Sequence, residues 1–222
     1  MDREFTITTP SELEGLVIVE GKDEATLLSH KYPHLLKNGH GIHSLGGIGF
    51  AEAYLKSILR LRPGDDTNKL RKIALFIDAD SNFTSSCQKV NKWLGLTNLP
   101  PVNFGALPNG ILAGYFCLPD NNNAGALESL VFKACLVEPW LGLSQKYIQD
   151  AENAHINAGR QAFKLVDKRI MQAYLAGRQA EPPKDPYLCN GVGYAIKHGI
   201  LEIQDDSHFA NIENFLNDFI SR

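Results

Sequence analysis

Two aspartates that follow a run of apolar residues are the part of this sequence best suited to chemistry. Asp78 and Asp80 close the segment Lys72–Asp80, in which Ile73–Ile77 are all apolar. A run this short and this uniform predicts a strand buried on both faces, as in a parallel sheet with helices on either side. Because alternate side chains of an extended chain share a face, both carboxyl groups are expected to point the same way at the carboxyl end of the strand.

A pair of carboxyl groups at this position has two interpretations. Mg²⁺ takes one or two protein carboxylates and completes its shell with water or phosphate oxygens. Ligands of open α/β sheets also bind at the carboxyl ends of the strands, which favours a divalent metal site. Alternatively, Asp78 ends the strand, and Asp80 forms a polar turn with Ser81 and Asn82.

A second acidic strand end favours the metal site. Leu16–Val19 is another short apolar run, and it is followed by Glu20 and Gly21. Asp23 is then expected to cap a helix that begins at Glu24. Two buried parallel strands that both end in acid should bring their carboxyl groups to one edge of the sheet.

Glycines follow the next predicted strand, Gly41–Leu45. Gly46 and Gly47 begin the sequence Gly-Gly-Ile-Gly, and such glycines let the backbone approach a phosphate or make a tight turn into a helix. Further along, Glu128 falls in the first turn of a helix predicted from about Ala126 to Leu136. There it either complements the helix dipole or adds an acid to the site.

The remaining pattern indicates an α/β fold with a helical end. Strands and helices alternate up to Asp80, Phe104–Leu107 and Ile111–Leu118 predict an antiparallel pair, and the chain beyond Pro139 has helical spacing. We therefore predict a mostly parallel, Rossmann-like sheet flanked by helices in residues 1–138, with residues 139–222 as a helical extension packed on the same domain. The predicted late helices are Ser144–His155, Arg160–Ala176 and Asn211–Ser221.

Basic residues recur on one of these helices. Arg160, Lys164 and Lys168 are spaced four residues apart, so on a helix they would share a face. Such a face either guides a polyanion or is simply solvated.

Composition limits the classes of partner. The net charge is −3 and the pI is about 6.2, so no overall basic field holds nucleic acid, and phosphate has to be met by a local patch or a metal. The start of the chain lacks the pattern of a signal peptide, and no apolar run reaches membrane-spanning length, so no membrane partner is expected. Scattered cysteines without a CxxC pair indicate reduced thiols and a cytoplasmic protein. They are Cys87, Cys117, Cys135 and Cys189.

Several motifs together resemble a known superfamily. VEGKDE at Val19–Glu24, followed by IDAD at Ile77–Asp80, resembles the Toprim domain of topoisomerases, bacterial primases and OLD-family nucleases. Gly46–Ile48, Leu118–Leu130, the lysine-containing helix that runs into Ala173–Ala176, and the stretch GVGYAIKHGIL near Gly191 more closely resemble a family of small Toprim-like proteins of unknown function.

The resemblance implies roles for individual residues. Glu20 matches the Toprim glutamate, a general acid/base, while Asp78 and Asp80 match the two metal-binding aspartates. Glu128 resembles a further acid of nuclease-like members, which makes it a third candidate ligand for Mg²⁺ or Mn²⁺. Apart from the resemblance, Lys22 lies just past the acidic strand end, where it is either a candidate catalytic contact to phosphate or a solvated lysine at a helix start.

The glycines complete the predicted site. Gly46 and Gly47 are the candidate cofactor-binding backbone.

The expected function is metal-dependent phosphodiester hydrolysis or nucleotidyl transfer on nucleic acid or a nucleotide. Ser81–Phe83 replaces the small residue and glycine usual after the aspartates, which argues against strand passage and primer synthesis. The alternative is a catalytically silent module that binds nucleotide or a protein partner.

Overall fold

A five-stranded sheet forms the centre of the protein. The computed structural model describes residues 12–37, 39–62, 68–135, 139–177 and 191–222. The strand order is β2-β1-β3-β5-β4, in which β1, β2, β3 and β5 are parallel and β4 runs antiparallel to β5. This arrangement confirms the predicted α/β class and its mostly parallel sheet. The strands are β1 (Gly15–Val19), β2 (His40–Ser44), β3 (Lys72–Asp78), β4 (Phe104–Ala106) and β5 (Leu112–Leu118).

The central strands are buried on both faces. Every residue of β1 and of β3 is buried, as their uniform apolar runs predict. Eight helices surround the sheet in the described residues. They are α1 (Lys22–Lys31), α2 (Ala51–Leu59), α3 (Phe83–Leu94), α4 (Leu127–Ala134), α5 (Pro139–Asn157), α6 (Val166–Gly177), α7 (Val192–Lys197) and α8 (Ala210–Ser221).

The two faces of the sheet carry separate apolar cores. One core packs α2 and α3 against side chains such as Ile18 and Leu75. The other joins Val17 and Phe76 to α1 and to all the helices from α4 to α8. The described helices after Pro139 therefore contribute to the same apolar core as α1 and α4, while the division of the chain at residue 138 stays a prediction.

The first helix begins earlier than the sequence predicts. Gly21 is the residue before α1, and Lys22 is the first helical residue, so Asp23 does not cap this helix. The amide of Gly21 instead donates to Oε2 of Glu24 (2.9 Å), which holds the helix start from inside the first turn. The carboxyl group of Asp23 is left for another element.

The predicted basic helix face is wrong. Arg160 and Lys164 lie before α6, which begins only at Val166. The reason is a left-handed glycine, Gly159 with φ of +74°, which ends α5 and starts an irregular connection. Of the three basic residues in that pattern, Lys168 alone is helical.

Helices capable of crossing a membrane are absent from the described ranges. None of the helices there combines the necessary length with sufficient apolar character.

Candidate functional site

The ends of β1 and β3 meet at one edge of the sheet. The two strands are parallel neighbours, with Val19 opposite Phe76, so Glu20 and Asp78 both emerge at that edge. An open cleft of about 400 Å³ lies there. Its lining residues are Glu20, Gly21, Lys22, Asp23, Glu24, Gly46, Gly47, Asp78, Glu128 and Lys168. The sequence-predicted site residues thus come together, with Asp80 as the exception.

Asp78 lies at the bottom of the acidic edge. Asp78 is only 6% exposed, and its Oδ1 accepts a hydrogen bond from the amide of Leu127 (3.1 Å) at the start of α4. Burial, followed by repulsion from Glu24, Glu20 and Glu128, raises the pKa of Asp78 to about 8. Without a bound cation, this carboxyl group therefore keeps its proton to a higher pH than an ordinary aspartate does.

Asp80 is not among the residues that line the cleft. Its φ of +51° is left-handed, and its carbonyl accepts a hydrogen bond from the amide of Gly125 (2.8 Å). The alternation of an extended strand has ended before this residue, so its exposed side chain does not line the cleft with that of Asp78. The lining of the cleft thus includes Asp78 but not Asp80, and a shared direction of their carboxyl groups stays a prediction. Asp80 still acts electrostatically on Glu20.

Glu20 has a carboxyl oxygen with no partner. Oε2 is buried and makes no hydrogen bond, while the side chain accepts one from the backbone of Asp78. Burial, and then the charge of Asp80, raises the pKa of Glu20. An unpartnered buried carboxylate oxygen is costly, so this atom is a natural place for a proton or a cation.

Glu24 is a site residue that the sequence interpretation missed. It is buried next to Asp78 and lines the cleft, and burial followed by repulsion from Asp23 and Glu20 raises its pKa to about 7. A signal was present, because Gly21 and Glu24 have the spacing of a capping box. That motif folds the side chain back over the first turn, towards the strand end that carries Glu20.

Lys168 brings positive charge into the acidic cleft from α6. Its Nζ lies 3.3 Å from Oε1 of Glu128. Burial lowers the pKa of Lys168, but Glu128 and Asp78 outweigh that effect and raise it. The lysine therefore stays charged and offsets part of the carboxylate repulsion.

The glycine loop forms one wall of the cleft. Gly46 and Gly47 have φ values of +72° and +132°, which glycine adopts without strain. No heavy atom lies within 4 Å of the position that a Cβ would take at either residue. The amide of Gly47 donates to the carbonyl of Glu20 (2.9 Å). The positive φ values of this tight turn explain why glycine occupies both positions. The absence of side chains at these two residues leaves room for a ligand.

The chemistry of the donors fits Mg²⁺, although a three-ligand cage is not preformed. Within the ranges that the structure describes, no group of three or more His, Cys, Asp or Glu residues could hold a metal. Mg²⁺ requires only one or two protein carboxylates. Asp78 and Glu128 are the predicted ligands that face the cleft, and the unpartnered oxygen of Glu20 lies on the same edge.

Comparison with known proteins gives one match. No curated protein and no solved structure matches the chain. A family model, DUF3226, described as a protein of unknown function, matches residues 14–221, and this span includes every residue of the cleft. The chain therefore belongs to the DUF3226 family.

Proposed function

We propose that this protein is a metal-dependent phosphodiester hydrolase or nucleotidyl-transfer enzyme of the Toprim type, acting on nucleic acid or a nucleotide. One observation carries the proposal. Glu20, Glu24, Asp78 and Glu128 gather with Lys168 in an open cleft at the carboxyl end of a parallel sheet. The resemblance of VEGKDE and IDAD to Toprim motifs supports the same chemistry.

The acidic residues are assigned different roles according to their positions in the cleft. Asp78 and Glu128 would hold Mg²⁺ or Mn²⁺, with phosphate or water oxygens completing the shell. When bound, the metal would neutralise the phosphodiester and stabilise charge that develops during in-line displacement. The exposed side chain of Asp80 gives less support to its predicted place in that shell.

Glu20 is assigned the proton transfer. Its raised pKa follows from burial and from the charge of Asp80, and Oε2 has no competing partner. A carboxyl group in this state is suited to exchange a proton with the attacking or leaving oxygen.

The lysines are assigned to phosphate. Lys168 is oriented by Glu128, and the exposed Lys22 lines the same cleft. Both can donate to phosphate oxygens as point charges.

A cytoplasmic location belongs to the same proposal. It is supported by the scattered cysteines of the sequence, which form no CxxC pair.

The test compares two aspartates. Purified protein is incubated with Mg²⁺ or Mn²⁺ and with single- and double-stranded DNA and RNA. We expect metal-dependent turnover that falls at least about 100-fold in Asp78→Asn, which keeps an oxygen for the amide of Leu127. The exposed Asp150 on α5 provides the matched control, and Asp150→Asn should retain full activity. Absence of turnover on every substrate, or unchanged turnover in Asp78→Asn, contradicts the proposal.

A silent binding module is the second candidate. The ion pair between Lys168 and Glu128, together with the exposed position of Asp80, favours it, because the carboxylates are not arranged as a three-ligand metal site. Calorimetry separates the two functions. The silent module predicts nucleotide binding without turnover, and no Mg²⁺ or Mn²⁺ binding that depends on Asp78.

A further inference from the structure

Phe50 is an exposed aromatic residue beside the cleft. Phe50 is 64% exposed, and it follows Gly47, a residue that lines the cleft, by only three positions. Other strongly exposed aromatic side chains in the described residues, Trp140 and Tyr147, lie on α5, which contributes nothing to the cleft lining. Single exposed apolar residues are common on protein surfaces, so the location of Phe50 carries the argument.

Two backbone hydrogen bonds fix Phe50 relative to the acids. The amide of Phe50 donates to the carbonyl of Gly47 (3.2 Å), and the amide of Gly47 donates to the carbonyl of Glu20 (2.9 Å). The aromatic ring is thereby attached through one short turn to the strand end that carries the proposed acid/base. The backbone position of Phe50 is therefore set by the sheet edge that carries Glu20.

Open space surrounds three glycines that precede Phe50. Gly46, Gly47 and Gly49 have no heavy atom within 4 Å of the position that a Cβ would occupy. A flat ligand group could lie over this surface while a phosphate attached to it reaches the cleft. Positive charge is available in the cleft, where Lys22 and Lys168 are lining residues, and Lys89 on α3 is near enough to act on Glu20.

Stacking on an aromatic ring requires a base whose face is free. Proteins that bind single strands combine positive charge along the backbone with aromatic side chains on which bases stack. A base inside an intact duplex has both faces covered by its neighbours. Because the net charge of the chain is −3, electrostatic attraction alone gives little affinity for a duplex.

We propose that Phe50 stacks on an unpaired base, and that the substrate of the cleft is a single strand or an unpaired end of nucleic acid. This inference rests on the proposed function and names its substrate class. Recognition of this kind is tolerant of sequence, because every base has a face that can stack.

The experiment measures binding separately from turnover. Short single-stranded oligonucleotides of mixed sequence carry one 2-aminopurine, placed at successive positions, and binding is followed in EDTA by fluorescence, which stacking quenches. We expect quenching at one or two positions with the wild-type protein and with Phe50→Trp. In Phe50→Ala, quenching should disappear and affinity should fall about tenfold.

The controls separate stacking from folding and from general binding. Tyr147→Ala removes an equally exposed aromatic residue away from the cleft and should leave affinity and quenching unchanged. Equal melting temperatures of wild type and Phe50→Ala are expected, because an exposed side chain contributes little to stability. A blunt duplex of the same sequence should bind at least about tenfold more weakly than the single strand.

The outcomes distinguish the two proposals. Wild-type affinity and quenching in Phe50→Ala, or equal binding of duplex and single strand, overturn the stacking inference even if turnover is found. Stacking that depends on Phe50 but comes without turnover under any metal supports the inference and contradicts the enzymatic function. Absence of binding to every nucleic acid tested overturns the inference.

Discussion

The carboxyl groups of Glu20, Glu24 and Asp78 ionise less readily in the folded chain than they would in water. Burial is the largest cause of the raised pKa in each of them, and repulsion from neighbouring carboxylates adds to it. Lys168 offsets part of that repulsion. The cluster is therefore destabilising at neutral pH in the absence of a further cation, which is a common property of sites that bind metal or exchange protons.

This cost predicts a pH-dependent gain in stability for Asp78→Asn. The pKa of Asp78 rises from 3.8 to about 8 on folding, so between these values the folded state binds a proton that the unfolded state releases. The wild-type free energy of unfolding therefore falls as pH rises through this window. Asparagine does not ionise and avoids the loss. The variant should be more stable near the upper end by at least about 2 kcal/mol, since one pKa unit corresponds to about 1.4 kcal/mol.

Urea unfolding in EDTA at several pH values measures this difference. The gain of Asp78→Asn over wild type should shrink towards the acidic end of the window, where both states of the wild-type protein are protonated. Asp150→Asn, at an exposed position, should show no such trend. A difference that is constant with pH, or that grows on acidification, would show that the carboxyl group of Asp78 is ionised in the folded protein.

The sequence predicts acids at strand ends better than it predicts where they point. Glu20 and Asp78 follow from buried apolar runs, and their shared edge follows from parallel pairing. Asp80 depends on a local left-handed backbone that its residue type does not dictate. Lys168 meets Glu128 across 40 residues of sequence, and only packing of α6 against α4 brings the two together.

At the scale of elements, Asp23 connects the start of α1 to the start of α7. Its Oδ2 accepts from the amide of Val192 (2.7 Å), and its Oδ1 accepts from the amides of Gly193 (2.8 Å) and Tyr194 (3.3 Å). The helices approach so closely that a Cβ at Gly193 would clash with the carbonyl oxygen of Asp23. Sequence reasoning assigned Asp23 to its own helix because caps are normally local.

Removal of this cap should loosen the contact between α1 and α7. Asp23→Ala leaves three amide groups without their acceptor, which we expect to cost about 2 kcal/mol in the free energy of unfolding. Amide exchange at residues 192–194 should accelerate. Denaturant unfolding and hydrogen exchange followed by mass spectrometry provide the two measurements.

A second acidic residue serves as the control for this cap. Asp218 makes an exposed ion pair with Arg222, and Asp218→Ala should cost less than about 0.5 kcal/mol. If Asp23→Ala were no more destabilising than Asp218→Ala, or if exchange at residues 192–194 were unchanged, water would have to replace the carboxyl group without loss.

At the scale of the whole molecule, the last helix covers the centre of the sheet. Phe215 on α8 packs against Phe76 of β3 and Phe116 of β5, with ring centroids 5.6 and 5.8 Å apart. The side-chain amine of Lys72, at the start of β3, donates to the carbonyl of Ile220 near the end of α8 (2.9 Å). Helix α8 thus completes one core of the sheet, and the cleft lies at the opposite edge of that sheet.

This covering predicts that the described parts of residues 1–138 and 139–222 unfold together. Phe215 is 2% exposed, and Phe215→Ala leaves a cavity between α8 and the sheet, so the free energy of unfolding should fall by about 3 to 5 kcal/mol. Phe50→Ala, an identical change at an exposed position, should cost less than about 0.5 kcal/mol. Urea unfolding followed by near- and far-ultraviolet circular dichroism should give coincident single transitions in all three proteins. Two separate transitions, or similar losses in the two variants, would mean that α8 does not share one cooperative core with the sheet, and that the acidic edge is held in place without it.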